Sequence, residues 1–406
     1  MLTLKLALRN VLRNRRRTAL SLLAIAAGAA ALIVNGGIIY DIFGALREDA
    51  IRGRHGHLQI MRRGYGAGHE REPWGYALRA GEVDSLIAEL ERLSEVEGAT
   101  PRLDFSGLIQ AGTRSVSFLG EGVVTADEPR FGSQIKVIEG TALPAIGPPA
   151  VLLGRGLAAK LGVRAGDGAV LLAQTVDGGF NALDVEVAGI FEGGLQAYDD
   201  WVLKAPLGVG RELLQWPNCH RVVVLLHDTE ATDRVAASLR ADFASRPLEL
   251  KTWRALAVFH NQVVALFRRE LDVIKVIIAT IVVLSIANTM SMSVLERTRE
   301  IGTVMAMGAT PGRVIREFLL EGVILGVMGG VGGLVLGAGI AALITQVGIV
   351  FPSPPGSTRP YIGGCDFVPS VAAFAFGLAV ASAAAAALYA ARRAAKLEVA
   401  EALRSH

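Results

Sequence analysis

Four long stretches of this chain carry no charge, and each is long enough to cross a bilayer as a helix, which takes roughly 20 residues. They cover residues 18–40, 276–295, a tract beginning at 322 and ending near 350, and 367–391. Only 19% of the 406 residues are charged and 51% are hydrophobic, whereas soluble domains carry about 25% charged residues. A chain of this pattern is a membrane protein. The net charge of +3 is too small to imply nucleic acid.

The distribution of Lys and Arg sets the orientation. The first seventeen residues contain Lys5, Arg9, Arg13, Arg15, Arg16 and Arg17 and no acid. Arg297, Arg299, Arg313 and Arg316 lie between the second and third spans, and Arg392, Arg393, Lys396 and Arg404 follow the fourth. All three clusters face the cytoplasm in one topology with both termini inside. The expected order is a basic arm 1–17, span 18–40, outer domain 41–270, span 271–295, inner loop 296–317, span 318–349, outer link 350–366, span 367–391 and tail 392–406. The first apolar run is too long for a signal-peptide core and is read as a span.

The outer segment can bury a core of its own. Val83, Leu86, Ile87, Leu90 and Leu93 recur at helical spacing, whereas Val116 with Phe118, and the stretch 183–190, alternate as half-buried strands do. Residues 151–173 read as strand, short helix, turn and strand; residues 221–226, 229–243 and 248–253 read as strand, helix and strand. The fold class is therefore an integral membrane α-helical protein of four spans, with a large α+β extracytoplasmic domain between the first and second. Residues 62–76, rich in Gly and charge, read as a solvated loop, and the proline-rich link 351–369 reads as stiff.

Chemistry-bearing motifs are sparse. No phosphate-cradling G-x-x-x-x-G-K-[ST] occurs, so nothing in this sequence holds ATP phosphates in the P-loop manner. His55, His57, His220 and His227 lack the spacing of a zinc site and read as structural or solvated. Neither a hydrolytic triad nor a carboxylate pair can be defended, and the chain is expected to be non-catalytic, without a cofactor of its own. Cys219 and Cys365 both fall outside, where a disulfide can persist; two free buried thiols are the simpler reading.

Ionisable groups sit only at the ends of the spans, as with Asp272, Lys275 and Glu321, so little is present to line a hydrophilic pore. Gly329, Gly333 and Gly337 recur every fourth residue, and Gly322, Gly326 and Gly330 form a neighbouring row. Such rows let helix backbones approach closely, against a second copy or against the chain's own spans. The inner loop passes from Glu296, Arg297, Arg299 and Glu300 to apolar Ile301, Val304, Met305 and Met307, and Gly308 breaks the run before Thr310 and Pro311 open a new helix. A short amphipathic helix of this kind needs a partner groove for its apolar face or lies among lipid headgroups.

The stretch NTMSMSVLERTREIGTVMAMGATPGRVIREFLLEG, the N-terminal LALRNVLRNRRRTALSLLAIAAG and the outer segments GRHGHLQIMRRGY, VLLGRGLAAKLGVRAGDGAVLLA and VEVAGIFEGGLQAYDDWVLKAPL resemble the FtsX-like permease family, which includes MacB-type and Lol-type lipoprotein-releasing permeases. The resemblance implies a permease subunit of an ABC transporter in the bacterial inner membrane, with its large domain in the periplasm. It also implies a dimer with a second copy or paralogue, an ABC ATPase as a separate chain and a periplasmic or outer-membrane partner. It places ATPase coupling on Glu296, Arg297, Arg299, Glu300, Ile301, Gly302, Met305 and Gly308, with Ile301 and Met305 inserted into the ATPase, and helix packing or dimer contact on Gly326, Gly329, Gly330, Gly333 and Gly337. The implied work is mechanotransmission, extracting or exporting a lipoprotein, peptide or other amphiphile; the alternative is a transmitter that activates an envelope enzyme without transport.

Overall fold

The computed structural model describes residues 15–68, 73–351 and 361–394. Most of the basic arm, of the proline-rich link and of the C-terminal tail lies outside them. By contact the chain divides into a helical unit, built from residues up to 44, 263–350 and from 362 onward, and a second unit built from residues 45–262 and 351–361.

Five helices belong wholly or mainly to the helical unit: α1 (Arg15–Ala50), α2 (Val258–Glu296), α3 (Thr298–Ala306), α4 (Pro311–Val347) and α5 (Pro369–Ala394). Among the described residues, α1, α2, α4 and α5 are long and apolar enough to cross a membrane. Pro311 and Pro369 each open a helix, where the missing N–H has no intrahelical partner to lose.

The glycines of α4 explain how these helices meet. An added Cβ on Gly322 or Gly326 would lie 2.3 Å from Ala387 Cβ or 2.9 Å from Ala383 Cβ, both on α5. One on Gly329, Gly333 or Gly337 would lie 2.7 Å from Ile25, 2.5 Å from Ala29 or 3.0 Å from Ile33, all on α1. Gly330 faces Phe376. The two glycine rows therefore serve two different neighbours, and both rows are occupied within the chain. The facing side of α5 is a run of buried alanines, among them Ala379, Ala383, Ala386, Ala387 and Ala390. Ser21 Oγ and Thr289 Oγ1, 2.8 Å apart, join α1 to α2. On α2, Val276, Ile277, Ile281 and Leu284 are more than half exposed, which suits a face turned to lipid.

The outer unit is a ten-stranded sheet: β1 (Leu58–Arg62), β2 (Val96–Ala111), β3 (Arg114–Val123), β4 (Lys136–Gly140), β5 (Ala150–Gly154), β6 (Gly168–Gln174), β7 (Phe180–Glu192), β8 (Val202–Pro206), β9 (Arg221–Leu226) and β10 (Leu248–Thr252). The sixteen-residue β2 serves two cores. Its first half pairs with β9, which continues through β1 to β10. Helices Ala80–Leu90 and Thr232–Asp242 cover that layer through Val83, Leu86, Leu90, Val235 and Leu239. The second half of β2 pairs with β3 on one side and β6 on the other. The path β2–β3–β8–β5–β7–β6 returns to β2, closing a barrel around Leu103, Phe118, Val151, Leu171, Val187 and Leu203.

Residues 62–76, read from sequence as a solvated loop, contain two helical turns, Tyr65–Gly68 and Pro73–Tyr76. Tyr65 is buried and Trp74 packs edge-on against Trp216, with centroids 5.1 Å apart. The aromatic rings pull the segment onto the domain against its Gly-rich composition. Both cysteines are free and buried.

Because α4 touches α1 backbone to backbone, Gly333→Val should lower stability by about 1–3 kcal/mol through overpacking. Gly339→Ala, with nothing within 4 Å of its added methyl, should be neutral; thermal unfolding in detergent compares the two.

Candidate functional site

The residues expected to couple to a partner gather at the bend between α2 and α4. Glu296 is the last residue of α2. At Arg297 the backbone leaves the helical region (φ −107°, ψ 10°), and α3 runs for nine residues. Gly308 ends the bend at φ +94°, the left-handed conformation that glycine adopts without strain, and Thr310 caps α4 from an extended backbone.

Arg297 fixes α3 to the bundle. Its Nη1 donates to Glu321 Oε1 at 2.9 Å and its Nε to Glu300 Oε2 at 3.2 Å. Its guanidinium carbon lies 5.6 Å from the centre of the Phe318 ring. Glu321 itself is buried on α4. Ile301 is 7% exposed and packs with Val294, Val314 and Phe318, and Met305 joins the same cluster. Gly302 is buried beside them.

Ile301 and Met305, expected to insert into a partner, here lie toward the chain's own bundle, Ile301 buried and Met305 half-buried. Apolar periodicity identifies which face is buried, not what buries it. The outward face carries Arg299, Glu300, Thr303, Val304 and Met307, with Val304 38% and Met307 75% exposed. Glu321 was not among the expected coupling residues; an acid at the edge of a long apolar tract was its one signal in the sequence.

A second concentration of charge lies in the outer unit. Arg102 and Asp104 on β2, Glu121 on β3, Lys204 on β8, Arg221 on β9 and Glu128 form a rung of three cations and three carboxylates. Arg102 meets Glu128 at 2.5 Å, Lys204 meets Glu128 at 2.8 Å and Glu121 at 3.4 Å, and Arg221 meets Glu121 at 2.9 Å and Asp104 at 2.7 Å. The Tyr65 hydroxyl donates to Asp104 at 2.7 Å. Burial alone would raise the pKa of Glu121, but Lys204, Arg102 and Arg221 hold it down to about 2. The rung crosses four neighbouring strands where β2 passes from one core to the other.

His57 and His220 are held in structural hydrogen bonds. His57 Nδ1 accepts the Leu226 N–H at 3.0 Å, so its Nε2 carries the proton toward Thr229 Oγ1, 3.0 Å away. Burial, then Arg52, pushes its pKa down to about 4. His220 Nδ1 accepts the Asp104 N–H among the rings of Tyr65, Trp74 and Trp216. Among the described residues no cluster of His, Cys, Asp and Glu could hold a metal ion.

Compared with known families, residues 18–242 match the MacB-like periplasmic core domain, and residues 273–399 match the FtsX-like permease C-terminal segment. The chain belongs to the FtsX-like permease family of MacB and Lol type. The lipoprotein-releasing system transmembrane protein LolC of Xylella fastidiosa (strain Temecula1) is 24% identical to this permease over 95% of the chain and 92% of the relative. The pyoverdine export ATP-binding/permease protein PvdT of Pseudomonas syringae pv. syringae is 47% identical over 73 residues, which make up 18% of the permease but only 11% of PvdT. The crystal structure of the periplasmic region of MacB from Actinobacillus actinomycetemcomitans aligns with 51% of this chain and 93% of its own, at a TM-score of 0.37 and 15% identity.

Glu121 and His57 make the stability of the outer unit depend on pH in the same direction. Each depressed pKa contributes stability that is complete above the unfolded value and lost as pH falls. For His57 the loss runs from its ordinary 6.5 down to about 4, and for Glu121 from 4.5 to about 2. All four tryptophans (Trp74, Trp201, Trp216 and Trp253) lie in this unit, so their fluorescence should follow its unfolding across those windows. Lys204→Met, which leaves Glu121 and Glu128 short of a buried cation, should cost about 3–5 kcal/mol, measured by denaturant unfolding with the same signal.

Proposed function

We propose that this permease is the membrane subunit of an ABC transporter. In this reading it couples ATP hydrolysis by a separate ATPase chain to extraction or export of a lipoprotein, peptide or other amphiphile from the outer face of the inner membrane. The observation that carries the reading is α3, a short helix anchored to α4 by Arg297 and Glu321 with its other face turned outward. A push on that outer face reaches α4 through a charge-assisted hydrogen bond and a packed apolar contact, without passing through a flexible loop.

Two copies of the permease, each with an ATPase that holds ATP and Mg, would form the working complex, with both termini cytoplasmic and the outer unit periplasmic. The sparse polar content of the spans supports mechanotransmission over conduction of a hydrophilic solute. The names of LolC and PvdT, one a lipoprotein-releasing component and the other an export permease, support a large or amphiphilic cargo.

The coupling residues proposed are Glu296, Arg299, Glu300, Val304 and Met307 on the outer face, with Arg297 and Glu321 as the link behind them. Ile301, Gly302, Met305 and Gly308 shape and seat the helix. Val304→Asp with Met307→Asp should leave the melting temperature unchanged and reduce recovery of the ATPase on a tagged permease by about tenfold or more, the scale expected when exposed apolar anchors are lost. Ile301→Asp should instead lower the melting temperature. Full ATPase recovery with the double variant would sink the assignment.

A further inference from the structure

Only 17% of the most apolar stretch of α2 is buried within the chain, against 50%, 33% and 39% for α1, α4 and α5. What α2 leaves open is a single stripe. Ile277, Ile281, Leu284 and Leu295 are between 52% and 68% exposed, Asn288 is exposed among them, and Ser291 is half-buried. Positions 277, 281, 284, 288, 291 and 295 alternate steps of four and three, the repeat along which two helices pack side by side.

Lipid satisfies the apolar members of this stripe but not Asn288. At 1.5 Å per residue, Asn288 sits about 10 Å inside the Leu295 end of the uncharged tract 276–295 and about 18 Å from its Val276 end. Its side chain has no hydrogen bond among the described residues. The neighbouring Thr289 hydroxyl, by contrast, donates to the Ser285 carbonyl and lies 2.8 Å from Ser21 Oγ. An amide left unpaired in hydrocarbon is costly, and asparagine lacks the long stem that lets lysine or arginine reach the headgroups.

We infer that this stripe is the contact between two copies of the chain, with α2 packed parallel to its twin and the two Asn288 amides hydrogen-bonded to each other. An amide carries donors and an acceptor, and a two-fold contact sets a residue on the axis against itself. Copies inserted in the same direction bring Asn288 to the same depth, so each supplies what the other lacks. The glycine rows of α4 are already filled by α1 and α5, and the exposed Leu23 of α1 and Val335 of α4 ask for nothing that lipid does not provide. The inference rests on the reading that two copies form the working complex, and it names where they meet.

Two differently tagged copies of the full-length permease, expressed together in native membranes and isolated through one tag, report pairing by recovery of the other tag. Oxidation with copper phenanthroline then tests the face, since a disulfide needs Cα atoms within about 7 Å. Leu284→Cys and Ser291→Cys should each give a disulfide-linked pair on non-reducing gels, and Val335→Cys should not. The unmodified chain, whose two cysteines are buried, sets the background. Asn288→Leu should weaken pairing about threefold to twentyfold in a dilution series followed by fluorescence energy transfer, the scale of one hydrogen bond between spans, and leave the helix content unchanged. Asn288→Gln, which keeps the amide, should retain most of the affinity.

Recovery of the second tag without cross-links at Leu284→Cys and Ser291→Cys, or pairing indifferent to Asn288→Leu, would overturn the inference and leave the two-copy reading standing. A second tag that is never recovered would overturn both.

Discussion

Inside a bilayer apolar helices gain nothing by leaving lipid for one another, so contact distance decides whether they associate. In the helical unit that distance is set by residues that have almost no side chain. Glycines of α4 meet alanines of α5 on one side and Ile25, Ala29 and Ile33 of α1 on the other. Dispersion between close backbones replaces the burial of large side chains. The ion pair between Arg297 and Glu321 depends on this arrangement, because the closed bundle holds Glu321 in a buried position where only a well-placed cation makes its charge tolerable.

The outer unit solves a different problem. A single long strand, β2, belongs to a helix-covered layer and to a closed barrel, and the two cores meet along it. At the crossing the interior is ionic rather than apolar. Three cations and three acids balance within the rung, and its members come from four adjacent strands and the turn at Glu128. An arrangement of this kind penalises any register slip of β2, since a shift by one residue would send Arg102 and Asp104 to the opposite face. It fixes how the layer and the barrel share their common strand.

Local signals in the sequence carried much of the architecture. Uncharged tracts marked the four long helices, Pro311 and Gly308 marked the ends of the inner bend, and alternation at residues 183–190 marked β7. Less accessible was whatever depends on which distant residues meet. Ile301 and Met305 have the spacing of a buried stripe, but only the fold reveals that the burial is against Phe318 and Val314. Arg102, Glu121, Lys204 and Arg221 are scattered over 102–221 with no periodicity to connect them, and the closure of the barrel depends on β6 reaching back to β2. Composition misled at residues 62–76, where glycine and charge concealed the anchoring of Tyr65 and Trp74.

The brevity of α3 has an implication for assembly. Nine residues are too few to hold a helix in water unaided, so this one persists because Ile301, Met305 and Arg297 find their places on a finished bundle. A newly made chain whose spans have not yet closed displays no such helix. A protein that docked there would meet this helix only on a completed bundle.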